Sequence, residues 1–491
     1  MGNKKTSRVR NAASSDFALD QLKSWLDEAP SSPQPEGRFL FDEVRSIASP
    51  QPSDLPDTKG RTAKEFALFL LKAAAEIEHS LLVQYLYSAY SVNVRKETGE
   101  ANPALEWKTT IRLVAREEMS HLVTVQNLLL LLGAGPYLDR PHIHQAEASL
   151  PLPFKLERLS IRSLAKYLIF ESPSPDIEKS NPDIKNVLDE ARSLVQQQGC
   201  VRIGRVGVIY SVLYWLFLEN DDPGPGSPFE PHEVRAFIEK YKKGFHLPDD
   251  LFADSSAVSS RMANAVEWGV FEKNMHVDES SPRNRALSGL LWIMSQGEGP
   301  AIIEESHFTR FARIFDHFRA MDRKAEELVF NVPENPFVKS KGRGATLQGT
   351  PIRNPRLRQW AEMLNIRYQM MLLDIFGALA SPRTTERAER QTGTSLAVEE
   401  MIFVARIGQA LPQMPTGRNE PRGAAPFHTE PIPTTAAGRL KLIRQLREES
   451  IWLVAALYKD LRISEDPIVA LEKSLLEDIA RQDDKMTLFL A

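Results

Sequence analysis

Residues 63–90 read AKEFALFLLKAAAEIEHSLLVQYLYSAY, with apolar side chains at every third or fourth position, few turn residues and many strong helix formers. The stretch reads as one long buried helix. A second is expected from about Ala104 to Leu132, ended by the Gly-Ala-Gly-Pro of residues 133–136. Further helices are expected around Ile161 to Glu171, stopped by SPSP, at Val201 to Leu218, at Arg283 to Gln296, and from GEGP (297–300) to about Met321 with Pro300 in its first turn. Asn331 to Arg356 is aperiodic and carries Pro and Gly. Beyond it lie helices near Leu357 to Ala380, Leu396 to Leu411, Arg439 to Leu461 and Pro467 to Lys485. No segment alternates with period two, so the fold class is all-α, a helical bundle with additional C-terminal helices. The expected division is a polar, partly disordered segment at 1–58, a bundle at 59–330, a linker or crossover at 331–356, and a C-terminal helical region at 357–491 packing on the bundle.

The composition excludes several function classes. The chain has 491 residues, 61 Lys+Arg against 65 Asp+Glu, and a formal net charge of −4. Without a basic stripe it has no electrostatic footprint for a nucleic acid. One cysteine, Cys200, makes neither an internal disulfide nor a thiolate zinc cage, which points to a reducing, cytoplasmic setting. The longest uncharged apolar run, Val206 to Leu218, is 13 residues, whereas a bilayer span needs about 20. No membrane span is expected. The opening MGNKKTSRVRNAASS has no apolar core of a secretory signal, and although Gly2 and Thr6 fit a myristoylation pattern it reads as a solvated tail.

The chemistry is concentrated in REEMSH, Arg116 to His121. On a helix Glu118 and His121 stand three residues apart and project from one face. Glu118 shares its stripe with Ile111, Val114, Ala115, Leu122 and Val125, whereas Glu117 neighbours Thr110, Ser120 and Thr124, so Glu118 is the inward acid. By the same test Glu78, flanked by Leu71, Ala74, Ala75, Leu81, Leu82 and Tyr85, points inward, and Glu76, beside Lys72, His79 and Ser80, lies on a wetter face. A buried carboxylate is normally protonated, paired or metal-bound. A lone Glu on one helix and Glu-x-x-His on the next form half of a dinuclear carboxylate pattern, and carboxylate with imidazole suits Fe or Mn. EESH supplies a second such pair, Glu304 and His307, with Glu298 competing from the preceding loop. The apolar helix Val206 to Leu218 offers no acid before Glu219, so a symmetric six-ligand dinuclear site is not written in the sequence, and a structural Glu-His pair in the core is the alternative to metal binding. His142 and His144 read as loop residues, and the tyrosines Tyr85, Tyr87, Tyr90, Tyr210 and Tyr214 as core or cavity lining.

EIEHSLLVQYLYSAYS (76–91), VAREEMSHLVTVQNLLLLLGAGP (114–136), LPLPF with LAKYLIFESP, QGEG followed by ESHFTRF, and MIFVARIGQALPQMPTG with AAPFH together resemble the ferritin-like domain of the iminophenyl-pyruvate dimer synthase family, found in violacein- and rebeccamycin-type pathways. The resemblance runs over about residues 60–430. It implies a ferritin-like four-helix bundle, and metal-site positions at Glu78, Glu118, His121, Glu298 and His307, with Glu298 favoured over Glu304. Where the family has an acid in a Gly-Glu-x-Tyr pattern, this chain has Val208 in Gly207-Val208-Ile209-Tyr210, which leaves a mononuclear or dinuclear iron site open. Haem, used by related pathway enzymes, has no identifiable ligand here and is not excluded. The implied function is a metal-dependent oxidoreductase or oxidative-coupling enzyme of specialised metabolism. It would act on a small amino-acid-derived substrate with Tyr85 or Tyr210 near it, as a homo-oligomer or in a biosynthetic complex. The alternative is a non-catalytic scaffold with a structural Glu/His cluster.

Overall fold

The computed structural model of the chain describes residues 55, 57–96, 102–140, 155–173, 175–197, 206–222, 229, 231–252, 261–263, 268, 281–297, 306–338, 349–380, 387–414, 416, 421–461 and 467–490. The expectations for residues 1–54, Gly2 and Thr6 among them, and for His142, His144, Cys200, Glu298, Pro300 and Glu304 lie outside these residues.

Helices α1 (Ala63–Ser91) and α2 (Pro103–Leu131) lie side by side along their length. A reciprocal capping box starts α1: Glu65 N–H donates to Thr62 Oγ1 at 3.3 Å, and Thr62 N–H donates to Glu65 Oε2 at 2.9 Å. Asn102 caps α2 with Pro103 as its first residue. Its end is a Schellman motif, because Gly133 takes φ +78° and the amides of Gly133 and Ala134 donate to Leu130 O and Leu129 O. Around this pair come α3 (Ile161–Phe170), the short α4 (Pro175–Ser180), α5 (Pro182–Gln196), α6 (Gly207–Phe217), α7 (Pro231–Tyr241), α8 (Pro282–Gly297), α9 (His307–Met321) and α10 (Arg323–Glu327). Helix α6 packs on α1 and α8, and α8 packs on α2, which closes a four-helix ring. Helix α9 packs on α2 and α3 and seals the side of this ring. Among the described residues no helix is long and apolar enough to cross a membrane.

The described C-terminal residues form a second ring. Helices α11 (Pro355–Ala380), α12 (Arg387–Ala410), α13 (Ala436–Lys459) and α14 (Pro467–Leu490) each contact two of the others. Each contributes one polar residue to a buried node. Arg367 of α11 pairs with Glu400 of α12 at 3.1 Å and with both oxygens of Asp483 of α14 at 2.7 and 2.8 Å, and Ser450 of α13 donates to Asp483 at 2.7 Å. Burial pushes the Glu400 carboxyl up to about 7, against the opposing pull of Arg367.

The two rings meet along α1. Helix α12 packs on it so closely that a Cβ on Gly408 would overlap the Tyr90 ring. Behind that contact His79 Nδ1–H donates to Leu138 O at 2.9 Å, so its Nε2 accepts from the Tyr368 hydroxyl of α11. Burial and the Arg140 charge hold this imidazole well below its usual pKa, in the neutral form that the pairing requires. The ring of Phe427 lies edge-on to Tyr368 at 5.2 Å and stacks on Tyr90 at 6.3 Å.

Two expectations are corrected here. The face of α1 bearing Glu76, His79 and Ser80 is buried: Tyr137, after α2, donates to Glu76, and His79 is bonded to Leu138 O and to Tyr368 of the second ring. Helices α5 and α7 arise in stretches with no expected helix, although Asn181, Pro182 and the Ile184, Leu188, Ala191, Val195 stripe mark α5 in the sequence. Within 331–356 there is also a two-stranded parallel pairing, β1 (Pro336–Phe337) with β2 (Thr350–Pro351).

Candidate metal centre

Four elements bring five acids and imidazoles to one point. Glu78 comes from the middle of α1, Glu118 and His121 from adjacent turns of α2, Glu171 from the residue that ends α3, and His307 from the first residue of α9. All five are 0% exposed. They form two groups that share Glu118: Glu78, Glu118 and His121, and Glu118, Glu171 and His307, with potential ligand atoms within 4.8 Å of one another in each.

The atoms are placed in a consistent way. His121 Nδ1 faces Glu78 Oε2 at 3.7 Å and Glu118 Oε2 at 4.0 Å. His307 Nδ1 faces the other oxygen of Glu118, Oε1, at 3.5 Å and Glu171 Oε2 at 3.6 Å. The far nitrogens are fixed from outside: His121 Nε2 lies 2.6 Å from Gln296 Oε1 on α8, and His307 Nε2 lies 3.0 Å from Glu117 Oε2. Both partners are acceptors, so each Nε2 carries the proton and each Nδ1 presents its lone pair to carboxylate oxygens. Imidazole nitrogens and carboxylate oxygens 3.5–4.0 Å apart in a fully buried cluster are an arrangement that a cation between them would stabilise. Glu78 Oε2 is buried and accepts no hydrogen bond, which leaves it available as a ligand. The donor set is oxygen and imidazole nitrogen without thiolate, a set that fits iron or manganese.

Tyrosines support the outer carboxylates. Tyr210 on α6 donates to Glu78 Oε1, and Tyr85 on α1 donates to Glu171 Oε1. In both cases Oε1 is held by a phenol while Oε2 faces an imidazole. Burial and the Arg310 charge push the His307 imidazole well below its usual range, which keeps it neutral. Glu117 also accepts from Arg310 Nη1 at 2.8 Å, and burial still raises its carboxyl to about 7.

The structure therefore brings Glu78, Glu118, His121 and His307 together and sets Tyr85 and Tyr210 against their carboxylate neighbours, while Glu298 lies outside the described residues. Three participants were not anticipated. Val208 does leave α6 without an acid, but the further carboxylate comes from α3 as Glu171, and α6 contributes the Tyr210 hydroxyl instead. Glu117, expected on a polar face, is fully buried against His307 and Arg310. Gln296 was assigned only to a helix end, and it holds His121.

Residues 71–217, which carry Glu78, Glu118, His121 and Glu171, match the ferritin-like family model. The chain carries a ferritin-like domain. The similarity extends beyond this ferritin-like core. The chain is 24% identical over 413 residues to dichlorochromopyrrolate synthase of Lentzea aerocolonigenes, covering 74% of this chain and 36% of that protein. It thus spans about a third of the length of that curated relative. No solved structure matches the chain significantly.

Proposed function

We propose that this chain is a metal-dependent oxidoreductase with a dinuclear, iron-loaded centre, of the oxidative dimer synthase type, acting on a small amino-acid-derived substrate in specialised metabolism. The observation that carries the reading is the division of Glu118, whose two oxygens face the Nδ1 atoms of two different histidines. Glu78, Glu118 and His121 would hold one ion, and Glu118, Glu171 and His307 the other. Glu298, two residues beyond Gln296, is the remaining position to be tested. The similarity to a synthase named for dichlorochromopyrrolate supports a small organic substrate, and the single cysteine fits a reducing, cytoplasmic setting.

Iron bound there supplies one-electron redox chemistry and Lewis acidity. The chain's own residues prepare the site. Tyr210 and Tyr85 fix the rotation of Glu78 and Glu171 by holding one oxygen of each. Phe311 and Tyr167 pack against Tyr85, with ring centroids 5.0 and 4.7 Å away, and keep water from that phenol-carboxylate pair. Gln296 and Glu117 hold both imidazoles in the tautomer that presents Nδ1 inward.

Metal content of protein purified without chelator tests the reading, with the wild type compared to Glu118→Ala/His121→Ala. About two equivalents of iron in the wild type, little in the variant, and metal-dependent consumption of dioxygen or peroxide with an amino-acid-derived imine are expected. Equal trace metal and identical melting in both preparations would sink the metal centre. Bound metal without oxidant consumption would instead favour a scaffold role.

A further inference from the structure

Around Glu118 the centre repeats itself. One arm runs Tyr210, Glu78, His121, Gln296, and the other runs Tyr85, Glu171, His307, Glu117. In each arm a phenol donates to Oε1 of the outer carboxylate, Oε2 of that carboxylate faces Nδ1 of the imidazole, and the opposite ring nitrogen donates outward. The correspondence breaks at the last member. His121 donates to the neutral carboxamide of Gln296 at 2.6 Å, whereas His307 donates to the carboxylate of Glu117 at 3.0 Å.

That difference acts on the ligand atom. An imidazole N–H that donates to a carboxylate passes more electron density to the opposite nitrogen than one that donates to an amide, so its Nδ1 is the stronger ligand. Arg310 Nη1 donates to the same Glu117 oxygen at 2.8 Å, so a guanidinium and the His307 ring share one carboxylate oxygen and hold it in place. Outer partners of this kind change metal affinity by about 10–100-fold.

We infer that the two metal positions are unequal: the position formed by Glu118, Glu171 and His307 fills first and retains its ion about 10–100-fold more tightly than the one formed by Glu78, Glu118 and His121. Glu117 and Gln296 are the positioning residues that set this order. The inference rests on the two-ion reading of the centre, and it adds an order of filling that neither the ligand set nor the fold specifies.

Cobalt(II) titration of the chelator-stripped full-length chain tests it, with bound metal measured after gel filtration and the visible ligand-field absorption followed at each step. The wild type should fill in two steps separated by about 10–100-fold. His121→Ala should keep the tight step and lose the weak one, and His307→Ala should lose the tight step. Glu117→Gln should weaken the tight step until the two merge, and Gln296→Glu should strengthen the weak step. Circular dichroism checks folding, and if Glu117→Gln does not fold, the wild type, the two histidine variants and Gln296→Glu still decide the matter. Two equivalents bound at a single affinity, or a tight step that survives in His307→Ala, overturns the inference while leaving the two-ion centre intact. A wild type that binds no cobalt overturns the centre itself and the inference with it.

Discussion

At Glu78 the two carboxylate oxygens have different roles: Oε1 is held by Tyr210, and Oε2 points to His121. Tyr210→Phe removes only the hydroxyl and leaves a buried carboxylate short of one hydrogen bond, a loss of about 1–3 kcal/mol in the metal-free protein. The expected result is a lower melting temperature without metal and about tenfold weaker metal retention, the low end of the range for outer partners, measured by competition with a chelator. Glu171→Gln should halve the bound metal and leave the helical content unchanged. The neighbour test that singles out Glu78 and Glu118 also fits Glu171, since Leu168, Tyr167 and Leu164 stand three, four and seven residues before it. Its signal was therefore in the sequence, hidden because ESP reads first as a helix stop. The burial of Glu117 was not legible. Its helical neighbours mix Leu113 and Val114 with Thr110, Ser120, His121 and Thr124, and its partners Arg310 and His307 lie 193 and 190 residues further along the chain.

Helix α9 begins at a ligand position, so its start matters more than its length. Ser306 Oγ accepts from Thr309 N–H at 3.2 Å and caps the helix at the residue before His307. Ser306→Ala should cost about 1 kcal/mol in urea unfolding, and Ser306→Asn should restore most of it. If the alanine and asparagine variants unfold alike, the cap is not what fixes this end. Long helices with sustained periodicity were legible to within a few residues, as α1 and α2 show, because strong helix formers and explicit stop signals agree along them. The contact of α12 with α1 was not, because nothing local marks Gly408 as the place where a backbone meets the Tyr90 ring. Gly408→Ala should destabilise the protein by about 1–3 kcal/mol through overpacking, which thermal melts would report.

The two rings of helices place charge at their centres by different means. In the second ring the buried cation is a side chain: Arg367 is held by Glu400 and Asp483, which lie 33 and 116 residues away in sequence. Because folding raises the Glu400 carboxyl from 4.5 to about 7, the folded state binds this proton more tightly than the unfolded chain. Its contribution to stability is neutral below about pH 4.5, falls by about 1.4 kcal/mol per pH unit up to about pH 7, and then levels off. Relative to wild type, Glu400→Gln should gain about 3 kcal/mol between about pH 4.5 and about pH 7, measured by urea unfolding across that range. A stability difference that does not change with pH would contradict the raised carboxyl. The sequence announced the helices of this half but not their ring, since which charges meet is decided by packing between segments far apart in the chain.

Helix α1 is a party wall. Residue 78 faces the candidate metal centre, and residue 79, the next in the chain, is bonded to Tyr368 in the other ring. Two consecutive side chains on a stiff helix cannot move independently, so a turn of α1 that brings Glu78 onto an ion must also be taken up at the His79–Tyr368 bond. Metal loading should therefore slow amide hydrogen exchange not only in α1 and α2 but around Tyr368 in α11, a helix that supplies none of the five candidate ligands. The joint between the rings would then carry news of the centre's occupancy to the far side of the protein.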